Sequence, residues 1–191
     1  MHSQWLRGTG ININTFGFSQ KVGETGAIGL GIMSINAGKI ERTTEDQPEG
    51  GLGTFTPRFT NIALSYAKGF SDNIAGGITL RVISEGIDNV KAQGVSIDAG
   101  VKYHTGKYDQ VHLGVAIKNV GPKMQYKGYG LSAQKSITSA YGDTYDLTIN
   151  NKSNAFELPA LLNISGAYDI YLLKDSTGRS KTHRVTVAGN F

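Results

Sequence analysis

From Asn61 to Asn119 the chain alternates between apolar and polar or small residues, and that alternation constrains the fold more than any other feature. Ile74, Gly76, Ile78, Leu80 and Val82 alternate with Ala75, Gly77, Thr79, Arg81 and Ile83. Val95, Ile97, Ala99, Val101 and Tyr103 alternate with Ser96, Asp98, Gly100, Lys102 and His104. Val111, Leu113, Val115 and Ile117 alternate with His112, Gly114, Ala116 and Lys118. A period of two puts one set on each face of a strand. Such strands exceed the roughly 5–6 residues usual in soluble sheets. They match the roughly 9–11 residues that a tilted strand needs to cross a bilayer. The expectation is an all-β protein, an antiparallel up-and-down transmembrane β-barrel with membrane lipid against its apolar set. A soluble barrel or sandwich that buries the same set is the alternative.

The 191 residues leave room for one domain, 1–191. No run of eighteen apolar residues exists, so no helix of this chain is expected to span a membrane. A barrel escapes that test, because only every second residue of a strand meets lipid. The absence of cysteine removes disulfides, thiolate metal sites and cysteine nucleophiles. The net charge of +4 is scattered, without the Lys/Arg cluster of nucleic-acid binders, so no nucleic-acid partner is expected.

Taken in order, the pattern predicts eight strands, over 9–19, 26–36, 60–68, 73–84, 94–104, 110–119, 160–173 and 182–191. In the first, Ile11 and Ile13 share one parity while Phe16 and Phe18 share the other, which predicts a bulge near Asn14–Thr15. The connections run short, long (37–59), short, medium (85–93), short, long (120–159) and short. Barrels place short turns at one rim and long loops at the other. Phe18, Tyr66, Phe70, Tyr103, Tyr108 and Tyr171 lie beside the short turns and read as half of an interfacial aromatic girdle.

Arg81, Asp98, Lys102, Lys118, Asp169 and Arg184 fall on the polar set and read as lumen-facing charges that pair with one another. If the 105–109 turn pairs Tyr103 with Val111, Lys102 faces His112, and His104 and His112 sit apart. A cation beside His112 makes a poor metal site. The acidic residues of 37–59 (Glu41, Glu45, Asp46 and Glu49) show no Ca²⁺-ligand spacing, and Arg42 intrudes. Ser132 and Lys135 fit S-x-x-K but lack the helix start that this chemistry needs. Gly23, Gly26 and Gly29 lack the strand–helix unit of a dinucleotide site. Neither an enzyme nor a cofactor is expected. Met124, Tyr126, Tyr129, Leu131 and Tyr141 read as exposed on the 120–159 loop, a candidate surface for a partner protein. The competing reading has that loop packed over the barrel mouth.

Six segments also carry a resemblance: His2-Ser3-Gln4-Trp5-Leu6, Thr43-Thr44-Glu45-Asp46-Gln47-Pro48-Glu49-Gly50, Ser65-Tyr66-Ala67-Lys68, Ser84-Glu85-Gly86-Ile87, Asn119-Val120-Gly121-Pro122-Lys123-Met124 and Phe156-Glu157-Leu158-Pro159. Together they resemble the PorV/PorQ family of outer-membrane barrels, relatives of the FadL hydrophobe transporters. The resemblance implies a place in the bacterial cell outer membrane and an association with type IX protein secretion, with secretion-system proteins or secreted cargo as partners. Transport of hydrophobic small molecules, as in the FadL relatives, is the alternative it implies. Family barrels have about fourteen strands, so eight strands, with no secretory leader visible at Met1–Trp5, imply a piece of a larger barrel.

Overall fold

The structure, a computed structural model, describes residues 1–5, 8–44, 47–138, 141, 144–172 and 183–191. Ten strands form one antiparallel sheet. Along its path lie β1 (His2–Trp5), β2 (Ile11–Val22), β3 (Gly26–Ala37), β6 (Arg58–Gly69), β7 (Ile74–Ile87), β8 (Val90–Thr105), β9 (Val111–Val120), β13 (Leu161–Tyr171) and β14 (Arg184–Asn190). β10 (Tyr126–Lys127) pairs with β8 beyond the end of β9. Two small hairpins interrupt the path: β4 (Ile40–Glu41) with β5 (Thr54–Phe55), and β11 (Ser132–Thr138) with β12 (Thr144–Asn150).

All eight expected strands occur, each antiparallel to the next. The sheet is open, since β1 and β14 pair with other strands and not with each other. The described residues therefore form an up-and-down wall and not a closed barrel. The turn expected at 174–181 lies outside the described residues.

Three local expectations change. β2 pairs with β3 from Ile11↔Ala37 to Val22↔Gly26 without a register shift, so no bulge exists at Asn14–Thr15. The parity of the apolar residues changes there because the sheet itself exchanges the polarity of its faces. The connection expected over 85–93 is a two-residue turn, Asp88–Asn89, with Asp88 in the left-handed region (φ 49°), which Asp tolerates better than most residues. The β8–β9 pairing sets Tyr103 opposite Leu113 and His104 opposite His112, two residues away from the expected register. A two-residue slip leaves every side chain on its face, so alternation cannot detect it.

The register converts the alternation into rows. Phe18, Leu30, Leu64, Leu80 and Ile97 stand side by side on one face of β2, β3, β6, β7 and β8. Phe16, Ile32, Ile62, Val82 and Val95 form the next row, and all ten side chains are exposed. The opposite face carries small residues here, among them Gly31, Ala63, Ser65, Thr79 and Gly100. One row further towards the long connections, the apolar face becomes Asn14, Ser34, Thr60, Ser84 and Gln93. The row after that is Asn12, Asn36, Arg58, Gly86 and Lys91. At this level the small-residue face gains apolar side chains, with Ile13, Ile35, Phe59 and Ala92 in one row that Glu85 of β7 interrupts. Ala92 and Met124, the fully buried apolar side chains among the described residues, lie in this end region.

Of the expected girdle, Tyr66, Phe70 and Tyr103 are exposed beside the short turns, and Tyr66 and Tyr103 share the apolar face with Tyr168. Phe18 stands in the middle of the apolar rows. Tyr171 lies on the other face, where its hydroxyl donates to the Tyr108 carbonyl at 3.2 Å.

Candidate functional site

The 121–160 connection is anchored before it projects. Asn119 takes a left-handed φ of 60°, and its backbone N–H donates to Asp98 Oδ1 at 2.9 Å. Gly121 then passes so close to β8 that a Cβ there would lie 2.2 Å from the Val95 carbonyl oxygen. This approach admits only glycine. Met124 follows, fully buried over Gly94, where a Cβ would lie 2.5 Å from Met124 Cγ. A pair of backbone hydrogen bonds, 2.7 and 2.8 Å, ties Met124 to Phe156.

Tyr126 packs on Phe156 with ring centroids 5.5 Å apart, and its hydroxyl donates to Glu85 Oε2 at 2.8 Å. Burial, aided by that hydrogen bond and by the Glu85 charge, raises the Tyr126 phenol above its ordinary range. Ser153 Oγ accepts from the Tyr126 N–H at 3.0 Å and donates to the Tyr126 carbonyl at 3.1 Å. Two residues expected to be displayed therefore serve as anchors: Met124 is buried, and Tyr126 is half-buried and fully hydrogen-bonded. Met124 fills the space over Gly94 of β8, and Tyr126 reaches from Phe156 to Glu85 of β7. Leu131 is also half-buried, whereas Tyr129 and Tyr141 are exposed.

Beyond this base stands the β11–β12 hairpin, in register from Ser132↔Asn150 to Thr138↔Thr144. One of its faces is a polar ladder. Ser132 Oγ donates to Asn150 Oδ1 at 2.6 Å, Ser136 Oγ donates to Asp146 Oδ1 at 2.5 Å, and Thr138 and Thr144 hydroxyls meet at 3.5 Å. The other face carries Ala133, Ile137, Tyr145, Leu147 and Ile149 with one charge, Lys135, opposite Leu147, and the four large apolar side chains are exposed. An isolated two-stranded hairpin is marginal in water, and burying its apolar face would stabilise it. Sequence reasoning missed this hairpin, although the spacing of Tyr145, Leu147 and Ile149 carries the period-two signal. Ser132 and Lys135 lie on its opposite faces, after the short 3-10 turn Tyr129–Leu131 and not at the start of a helix.

The charges of the small-residue face form two clusters. Arg81 Nε donates to Asp98 Oδ2 at 2.6 Å. Asp169, buried, accepts from Thr186 Oγ1 at 2.6 Å and Arg184 Nη1 at 3.2 Å, with His112 Nε2 at 3.0 Å. Lys102 and Lys118 share that face and form no ion pair among the described residues. His104 and His112, expected to sit apart, are cross-strand neighbours with ring centroids 6.3 Å apart. Among the described residues no three His, Cys, Asp or Glu side chains gather at metal-binding distance. Glu45 and Asp46 of the acidic connection lie outside the described residues. No protein-family model and no curated protein matches this chain.

Proposed function

We propose that this chain is wall and rim of an outer-membrane β-barrel of the kind it resembles, associated with type IX secretion, and that it receives partner or cargo proteins on the β11–β12 hairpin. The exposed apolar rows support membrane placement. On a soluble sheet ten large apolar side chains in two adjacent rows would be a liability, whereas against lipid they cost nothing. The bands of polar residues that follow fit the level at which strands leave the hydrocarbon. The paired charges opposite fit a wet or plugged lumen.

The observation that carries the partner function is the hairpin's exposed apolar face. It stands on a base fixed by Met124, Tyr126 and Ser153, so a rigid platform presents it. Apolar and aromatic groups concentrate in the centres of protein interfaces. The test is to replace Ile137, Tyr145 and Leu147 with Asp in the intact protein in its own cell. Secreted cargo should then accumulate in the periplasm while the barrel assembles normally, read by membrane fractionation and by heat-shifted gel mobility. Unchanged secretion with all three substitutions would sink the proposal.

A further inference from the structure

We infer that a pocket of about 450 Å³ on the outward face, at the long-connection rim, holds the phosphate of a membrane lipid headgroup. This rests on the membrane placement above and concerns a different surface from the hairpin.

Three cations line the pocket, Arg42, Arg58 and Lys91, against one carboxylate, Asp88. Arg42 spends one guanidinium nitrogen on Asp88, which holds the β4–β5 hairpin against the β7–β8 turn. Its Nε is buried without a hydrogen-bond partner among the described residues. Arg58 and Lys91 form no ion pair among the described residues. Both are register partners of Gly86 on its two sides. Strand spacing puts their backbones about 10 Å apart. Gly86 has no side chain, and a Cβ added there would touch only Lys91 Cγ at 3.8 Å and the Arg58 carbonyl oxygen at 4.0 Å, so no side chain of β7 stands between the two cations.

Position selects the ligand class. Below the cations the same face carries the Thr60 and Ser84 hydroxyls, and below those Ile62 and Val82. Cations, hydroxyls and lipid-facing apolar rows follow one another along the same strands. That order matches an amphiphile whose phosphate meets Arg and Lys while its chains lie on the apolar rows. A free anion would use the cations but gain nothing from the apolar rows. Across β2 and β3 the matching rows hold only Asn and Ser, so the positive charge is local.

The test has two stages. Flotation with phosphatidylcholine vesicles, with and without diphosphoryl lipid A, reads membrane insertion. Titration of the chain in octyl glucoside with diphosphoryl lipid A, followed by native mass spectrometry, reads headgroup binding, with inorganic phosphate as competitor. One lipid per chain should be retained. Arg58→Gln and Lys91→Gln should each weaken retention about fivefold, the worth of one cation near a membrane surface, and Lys102→Gln on the opposite face should change nothing. Inserted protein that retains no lipid, or equal retention in all variants, would overturn the inference alone. Competition by equimolar inorganic phosphate would make the pocket a soluble-anion site and overturn the lipid assignment. Failure to float with either vesicle would overturn the membrane reading and the lipid with it.

Discussion

The middle of the sheet and its long-connection end are built from the same strands, yet they are opposites. In the middle, β7 shows Leu80 and Val82 on one face and Thr79 and Arg81 on the other. Four residues on, that first face holds Ser84 and Gly86, while the second holds Ile83 and Ile87 on either side of Glu85, which Tyr126 caps. The backbone and the period do not change; which parity is apolar does. Alternation fixes that a strand has two faces, and the medium beyond each face decides which is apolar. The end region is organised as a water-soluble sheet is, with Met124 and Ala92 inside. The middle has its apolar groups outside.

The comparison can be tested in order of effect. Met124→Ala should cost most, about 2–5 kcal/mol, the usual cost of emptying a core position. The loss should be the same in detergent and in vesicles, since the groups around Met124 belong to the protein; urea unfolding in both media checks this. On the proposed membrane placement, Leu80→Arg should cost about 2–4 kcal/mol in vesicles, as a midplane charge does. Ser84→Arg, on the same face, should cost little. Equal costs for the two would abolish the boundary drawn between their rows.

Tyr126→Phe should cost about 1 kcal/mol by leaving Glu85 without its hydroxyl partner. The same contact has a pH signature. The phenol's folded pKa is raised, so its contribution is fully present below the unfolded value of about 10 and is lost as pH climbs through the folded value. Between about pH 10 and the folded value, wild type should therefore lose stability faster than Tyr126→Phe. Parallel alkaline unfolding curves for the two would contradict this.

The strands and their faces were legible because Leu113, Val115 and Ile117 alternate with His112, Gly114 and Ala116, and alternation is a local property. The charge pairs were legible as a class for the same reason. The register was not. Opposing His104 to His112 depends on how many residues the Gly106–Gln110 turn absorbs, and a slip of two changes no face. The polar run from Ser84 to Gln93 resembles a loop because its outward face has left the apolar rows, although it is regular hairpin. Burial of Met124 depends on Gly94, distant in sequence, and on a glycine approach at Gly121 that no local pattern announces.

The neighbour-to-neighbour path of the sheet also bears on how the protein reaches this state. β2–β3, β6–β7 and β7–β8 close over short turns, so each can zip as it forms. β13 must find β9 across 121–160, which costs about 2 kcal/mol more in loop entropy than closing a tight turn. The Met124–Phe156 clasp shortens that search by joining the two ends of the connection beside β8. The residue that fills the rim core also holds the two ends of this connection together, and weakening it should delay docking of β13–β14 more than formation of the first hairpins.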